Sequence, residues 1–167
     1  APAYHRALAA EISARPLVVL NLGGVANVTW IGRDGTLVAF DTGPASALID
    51  DWVNSKLGKP FDAGGEVAAA GSVHEDIVQD WLTHPYFAEA PPKSLDRNAF
   101  DLGPVAGLSP EDGAATLTAF SAAAVAAALP HFPEAPALWL ASGGGRRNAT
   151  LMSMIAGRVG MPVRPAE

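Results

Sequence analysis

Three β-patterned stretches follow one another within about two dozen residues, and this crowding constrains the fold more than any other feature of the chain. Leu17–Leu22 is a continuous apolar run with β-branched residues, the pattern of a buried strand. Val25–Ile31 reads as a second strand and Thr36–Phe40 as a third. Asp34-Gly35 supplies the turn between the last two, because glycine accepts the positive φ of a hairpin turn. Connections this short force an antiparallel meander.

The elements around the meander complete the class. A short helix is expected over Ala7–Ala14, closed by Pro16. After Asp41-Thr42-Gly43-Pro44, a helix runs to Leu57 with Leu48, Ile49, Trp52, Val53 and Leu57 on its inner face; Pro44 suits its first turn and Gly58 its C-terminal cap. A Gly- and Ala-rich segment, Phe61–Gly71, precedes a helix marked by Val73, Ile77, Trp81 and Leu82. Tyr86–Gly107 is a long aperiodic loop, a kind of segment that often carries function. Ser109-Pro110-Glu111-Asp112 opens a helix to about Leu129. A buried strand at Ala137–Ala141, a glycine loop at Ser142–Arg147, a helix from Asn148 and a strand beginning at Val163 follow. Trp30, Trp52, Trp81 and Trp139 all fall on apolar faces and read as core. Three antiparallel strands, helices, strand, helix, strand is the order of a ribonuclease H-like α/β domain: a mixed sheet, meander plus parallel strands, flanked by helices. Residues 1–167 are expected to form one such domain.

Composition narrows the partners. A net charge of −6 without a run of Lys or Arg disfavours nucleic acid and anionic membrane surfaces. There are no cysteines, which removes disulfides and thiolate metal sites and fits a reducing cytoplasm. The longest apolar stretch, Ala119–Leu129, is too short to span a bilayer, and the first residues lack the pattern of a signal peptide. The histidines at 5, 74, 84 and 131 have no metal-ligand spacing, so no built-in metal site is expected.

Chemistry can sit in three glycine-containing segments, each following a strand. Gly23-Gly24, between Asn21 and Asn27, can cradle phosphate oxygens or serve as a plain tight hairpin. Asp41 can accept a proton or hold a magnesium-bound water; Asp and Thr there can equally cap a helix. Gly143-Gly144-Gly145, ahead of Asn148, permits flat approach of a base or ribose, or is a strand-to-helix connector. Lys93, in Pro91-Pro92-Lys93-Ser94, can meet a phosphate or sugar carboxylate, or lie solvated at the surface. Walker A, GxGxxG and GxSxG patterns are all missing, which excludes a P-loop, a Rossmann dinucleotide site and a hydrolase elbow.

Five segments in order, LNLGGVANVTWIG, FDTGPASALIDDW, PFDAGGEVAAAGSV, HPYFAEAPPKSLDRNAF and ASGGGRRN, resemble the anhydro-N-acetylmuramic acid kinase family over nearly the whole chain. The resemblance implies the actin, hexokinase and Hsp70 superfamily, in which two ribonuclease H-like domains flank an ATP cleft. It implies cytoplasmic enzymes of cell-wall recycling that use ATP and Mg²⁺. They cleave the internal bridge of 1,6-anhydro-N-acetylmuramic acid with water and phosphorylate the freed six-position hydroxyl. By the same resemblance Asp41 is similar to the base that activates water, Gly23 and Gly24 to the second phosphate turn, and Gly143, Gly144, Gly145 and Asn148 to the adenosine loop. Asn21, Asn27 and Lys93 are weaker candidates for contact with the sugar.

The sequence departs from the family in places. Ala45-Ser46 stands where the family often has Gly-Asn after DTGP, and Leu95-Asp96-Arg97-Asn98 where it often has Thr-Gly-Arg-Glu. The family's GTSxDG-type first phosphate loop and its closing acidic helix have no counterpart here. The expectation is therefore the second, C-terminal lobe of a sugar kinase, inactive alone and partnered by a first lobe, with a homodimer also possible. A non-catalytic ATP- or sugar-binding module of the same fold stays open.

Overall fold

A computed structural model describes residues 14–96 and 98–166. The helix expected over Ala7–Ala14 lies almost wholly outside them. The meander is present: β1 (Leu17–Leu22), β2 (Val25–Ile31) and β3 (Leu37–Pro44) pair antiparallel in sequence order. β4 (Leu138–Ser142) then lies parallel to β1, and β5 (Val163–Pro165) parallel to β4. The five-stranded order is β3-β2-β1-β4-β5, the mixed sheet expected from the order of elements.

The helices are α1 (Ser46–Leu57), α2 (Glu66–Ala69), α3 (Glu75–Trp81), α4 (Pro110–Ala126) and α5 (Ala149–Val159). Alternation along the strands divides the sheet into two faces. Val18, Leu20, Val28, Trp30, Phe40 and Trp139 pack against α4 and α5 through Val125, Leu151 and Ile155. Leu17, Val19, Ile31 and Leu140 form a separate buried cluster on the opposite face. On its far side α4 meets α1, α2, α3 and the loop after α3, around Trp52, Val53, Trp81, Phe87 and Phe120. Helix α4 is thus buried along both flanks, which explains its run of small residues. Gly113 lets the Trp52 indole lie against the helix, and that indole donates to the carbonyl of Pro110 at 2.8 Å. All four tryptophans are core residues.

Local signals survive at the helix ends. Ser109 Oγ accepts the amide of Asp112 at 3.1 Å with Pro110 at the first helical position. Asn148 Oδ1 accepts the amide of Leu151 at 2.9 Å, and Gly58 closes α1 in the left-handed region at φ 68°.

Four expectations need correction. β3 does not stop at Phe40 but continues through Asp41-Thr42-Gly43-Pro44, so this tetrapeptide is strand and Pro44 does not open the helix. Gly43 and Pro44 pair with Ala26 and Val25. β3 is an outer strand, where proline is tolerated. A Cβ on Gly43 would stand 2.8 Å from Ala124 Cβ, so its glycine admits α4 rather than a turn. Leu57 and Val73, assigned to inner faces, are exposed, because Leu57 is the last residue of α1 and α3 starts only at Glu75. The segment Pro110–His131 is long and apolar enough to cross a membrane, unlike the shorter stretch counted from sequence, but 78% of its most apolar window is buried within the domain. That burial identifies it as the core helix.

Candidate active site

The sheet register collects the candidate residues at one end. Asp41 on β3 stands opposite Asn27 on β2, Asn27 opposite Asn21 on β1, and Asn21 beside Ser142 on β4. One polar rung therefore crosses four strands. Asn21 alternates with Leu20 and Leu22 of the helix-side cluster, so the rung projects from the face that carries Leu17 and Val19. Polar residues at a common level in otherwise apolar strands are what a site built on rigid elements requires.

Beside this rung, on the helix side, a cleft of about 340 Å³ opens between the β1–β2 turn, α1, the Phe61–Gly64 segment and the glycine loop. Gly23, Gly144, Gly145 and Asn148 line it, with Leu22, Ile49, Phe61 and Leu151 as apolar walls. The sequence expectations also included Gly24 and Gly143, which do not line the cleft but build it. Gly24 O accepts the amides of Ala45 (2.9 Å) and Ala47 (3.2 Å), and Gly23 O accepts the amide of Ser46 (3.1 Å) and its hydroxyl (2.8 Å). The Gly23-Gly24 carbonyls thereby satisfy the start of α1, whose N-cap residue Ala45 has no side chain to do so. Ser46, where the family often has Asn, is used in this contact.

The three glycines of the second loop divide the work. Gly143 has φ 84°, and a Cβ there would run into Asn21 Oδ1 and the Leu22 carbonyl. A Cβ on Gly145 would come within 2.7 Å of Leu22 Cβ. Gly144 meets nothing within 4 Å and faces the cleft. A flat, unobstructed floor with apolar walls suits a nucleoside.

Asp41 is not a helix cap. It sits inside β3, its Oδ2 accepts the amide of Leu95 at 2.9 Å, and its carbonyl accepts the Tyr86 hydroxyl at 2.7 Å. Lys93 does not project into the cleft. Its ammonium donates to the Tyr86 carbonyl at 2.8 Å and lies over the Tyr86 and Phe40 rings. Burial draws the Lys93 pKa down, and burial followed by the Asp41 charge pushes the Tyr86 phenol well above its ordinary value.

Asp50, Phe61 and Arg147 also line the cleft and were not singled out from sequence. The Asp50 carboxyl is raised by burial, then by Asp51 and Asp62. Asp62 is buried and spends its carboxylate on the amides of Val67 (2.9 Å) and Ala68 (3.0 Å). The nearest signals in the sequence were Phe61 beside Gly64-Gly65 and Arg147 beside the glycine loop; neither is specific alone. Among the described residues no group of three or more His, Cys, Asp or Glu could hold a metal ion.

Comparisons with known proteins identify the family. The family model for anhydro-N-acetylmuramic acid kinase matches residues 1–163. The chain is 54% identical to the protein of that name from Paramagnetospirillum magneticum, covering 99% of this chain and 47% of that protein. It is 53% identical to the one from Zymomonas mobilis, covering 99% and 46%. The chain thus spans just under half the length of these curated relatives. Among solved structures, xylulose kinase from Rhodospirillum rubrum superposes with a TM-score of 0.62 at 18% identity, over 98% of this chain and 37% of that one. The activator of 2-hydroxyisocaproyl-CoA dehydratase from Clostridium difficile, with bound ADPNP, superposes at 0.61 and 12% identity, over 96% and 57%. These last two establish the fold, a mixed sheet flanked by helices. With the family model spanning nearly the whole sequence and relatives at about half identity, the chain belongs to the anhydro-N-acetylmuramic acid kinase family.

Proposed function

We propose that this chain is the second lobe of a two-lobed cytoplasmic kinase of cell-wall recycling. The whole protein opens the bridge of 1,6-anhydro-N-acetylmuramic acid with water and phosphorylates the six-position oxygen. The observation that carries the reading is the polar rung ending at Asp41, set beside a nucleoside-sized cleft in a chain of this family.

ATP fits the cleft residues: Gly144 leaves the floor open, Leu22, Ile49, Phe61 and Leu151 offer apolar contact to a base, and Asn148 and Gly145 border it. When bound, ATP supplies the phosphoryl group and Mg²⁺ compensates its charge. With no multi-carboxylate cluster among the described residues, Mg²⁺ would be held mainly by phosphate oxygens and water, as is usual for this ion. The turn of Gly23 and Gly24 would sit at the phosphate end.

Asp41 performs the proton step. Its Oδ2 is tied to the Leu95 amide, so Oδ1 takes a proton from water as the water oxygen bonds to the anomeric carbon. The bond from that carbon to the bridging oxygen breaks, and the oxygen receives the phosphoryl group rather than a proton. No separate general acid is needed. Asn27 and Asn21, one and two strands from Asp41, can orient the sugar by hydrogen bonding. Lys93 has its cation engaged by Tyr86, which disfavours the direct sugar contact expected from sequence.

The test is turnover of the full-length protein in water enriched in heavy oxygen. ADP release strictly dependent on the anhydro sugar, with one solvent oxygen on the anomeric carbon of the product, is expected. Phosphorylated product that still carries the intact bridge, or ADP release without sugar, would contradict the reading.

A further inference from the structure

The segment between α3 and α4 lies along the outer side of β3, and its polar contacts gather on one residue. Asp41 donates its amide to the Lys93 carbonyl at 3.4 Å. The Tyr86 hydroxyl donates to the Asp41 carbonyl at 2.7 Å, and the Leu95 amide donates to Asp41 Oδ2 at 2.9 Å. Lys93 closes the ring of contacts by donating from Nζ to the Tyr86 carbonyl at 2.8 Å. We infer that Lys93 is a positioning residue for the Asp41 carboxylate, acting through Tyr86 and Leu95, and not a ligand of sugar or phosphate. This rests on the reading of Asp41 as the base.

The ammonium is well placed for that task and poorly placed for substrate. It stands 4.5 Å from the centroid of the Tyr86 ring and 5.4 Å from that of Phe40, so two aromatic faces and a carbonyl receive it. Phe40 is the neighbour of Asp41 in β3, so the cation fastens the loop to the strand that carries the base. Burial draws its pKa down and the Glu89 carboxylate only partly offsets this, as for a half-buried cation.

The consequence concerns which oxygen of Asp41 works. β3 ends the sheet, so its outer side has no strand partner among the described residues. Among the described residues the loop takes that place at Asp41, where the base sits. A peptide N–H fixed on Oδ2 sets the plane of the carboxylate. It leaves Oδ1, which has no hydrogen bond among the described residues, to accept the proton. If Lys93 released Tyr86, the loop would lose its anchor at one end and the Leu95 amide its register at the other. Misplacing a catalytic group by about 1 Å costs on the order of a hundredfold in rate.

The experiment is steady-state kinetics on the full-length protein. Lys93→Met keeps the apolar stem and removes the cation. It should lower kcat by about ten- to a hundredfold while KM for sugar and for ATP stays within about twofold. Lys93→Arg, which can still reach the carbonyl, should recover most of the loss. Tyr86→Phe should lower kcat similarly, and the double variant should fall no further than the worse single one, because both act on one carboxylate. A tenfold or larger rise in either KM with kcat unchanged would make Lys93 a direct ligand and overturn the proposal. Wild-type kcat in Lys93→Met, or losses that multiply in the double variant, would overturn it too. Should Lys93→Met fail to fold, Lys93→Arg and Tyr86→Phe carry the test, and wild-type kcat in Tyr86→Phe overturns it. Full turnover in Asp41→Asn would remove the base itself, a failure distinguishable from failure of the clamp.

Discussion

The three consecutive glycines of the second loop should respond to the same substitution in opposite ways. At Gly143, φ 84° with ψ 170° is a region open essentially to glycine alone, costing alanine about 1–3 kcal/mol. The added Cβ would also press on Asn21 and the backbone of Leu22, overpacking worth about 1–3 kcal/mol more. Gly143→Ala should therefore destabilise by roughly 2–6 kcal/mol, a large part of the roughly 5–15 kcal/mol that holds a domain. Gly145→Ala lacks the φ penalty but meets Leu22 Cβ at 2.7 Å and Leu22 O at 3.0 Å, so about 1–3 kcal/mol is expected. Gly144→Ala meets nothing within 4 Å and should leave stability within about 0.5 kcal/mol. Its methyl group would instead stand on the floor of the cleft and raise the ATP Kd by about tenfold or more. Urea unfolding and calorimetric titration of ATP separate these effects. Near-wild-type stability of Gly143→Ala, or unchanged ATP affinity of Gly144→Ala, would refute the division of roles.

Phe61 is 55% exposed although it is a large apolar side chain at the cleft mouth. Phe61→Ala should change stability by less than about 0.5 kcal/mol and weaken nucleotide binding by roughly 1 kcal/mol, read by the same two assays. Asp112 has its carboxyl held below its ordinary value by the Ser72 amide and then by His74. A depressed folded pKa stabilises above the unfolded value near about 4, and that contribution is lost as pH falls through the lower folded value. Asp112→Asn should therefore flatten the acid limb of the stability profile below about pH 4, measured by thermal unfolding against pH.

Much of the fold was legible because its signals are local. The Asp34-Gly35 turn, the Ser109 cap, the Asn148 cap and Gly58 each act within four residues, and all appear in the structure. Asp41-Thr42-Gly43-Pro44 misled because glycine and proline usually punctuate. Here Gly43 makes room for Ala124 of α4, more than eighty residues along the chain in order-of-magnitude terms, and no local pattern carries that contact. The candidate site was legible as residue types, a carboxylate and two asparagines among apolar strands. Their common level required the strand register. The place of Lys93 was not legible at all, since its partners Tyr86 and Phe40 reach it only through the fold. Phe61 and Arg147 were missed because exposed aromatic and basic residues beside glycines are common on surfaces without function.

The central claim is that Asp41 takes the proton from water, and Asp41→Asn in the full-length protein tests it most directly. Asparagine keeps the size of the side chain, and its amide oxygen can still accept the Leu95 N–H, so β3 and its loop contact should survive. The carboxamide cannot take a proton. Sugar-dependent ADP release should fall by on the order of a hundred- to ten-thousandfold, while calorimetric ATP affinity stays within about twofold of wild type. Wild-type-like turnover in the Asp41→Asn protein would contradict the account.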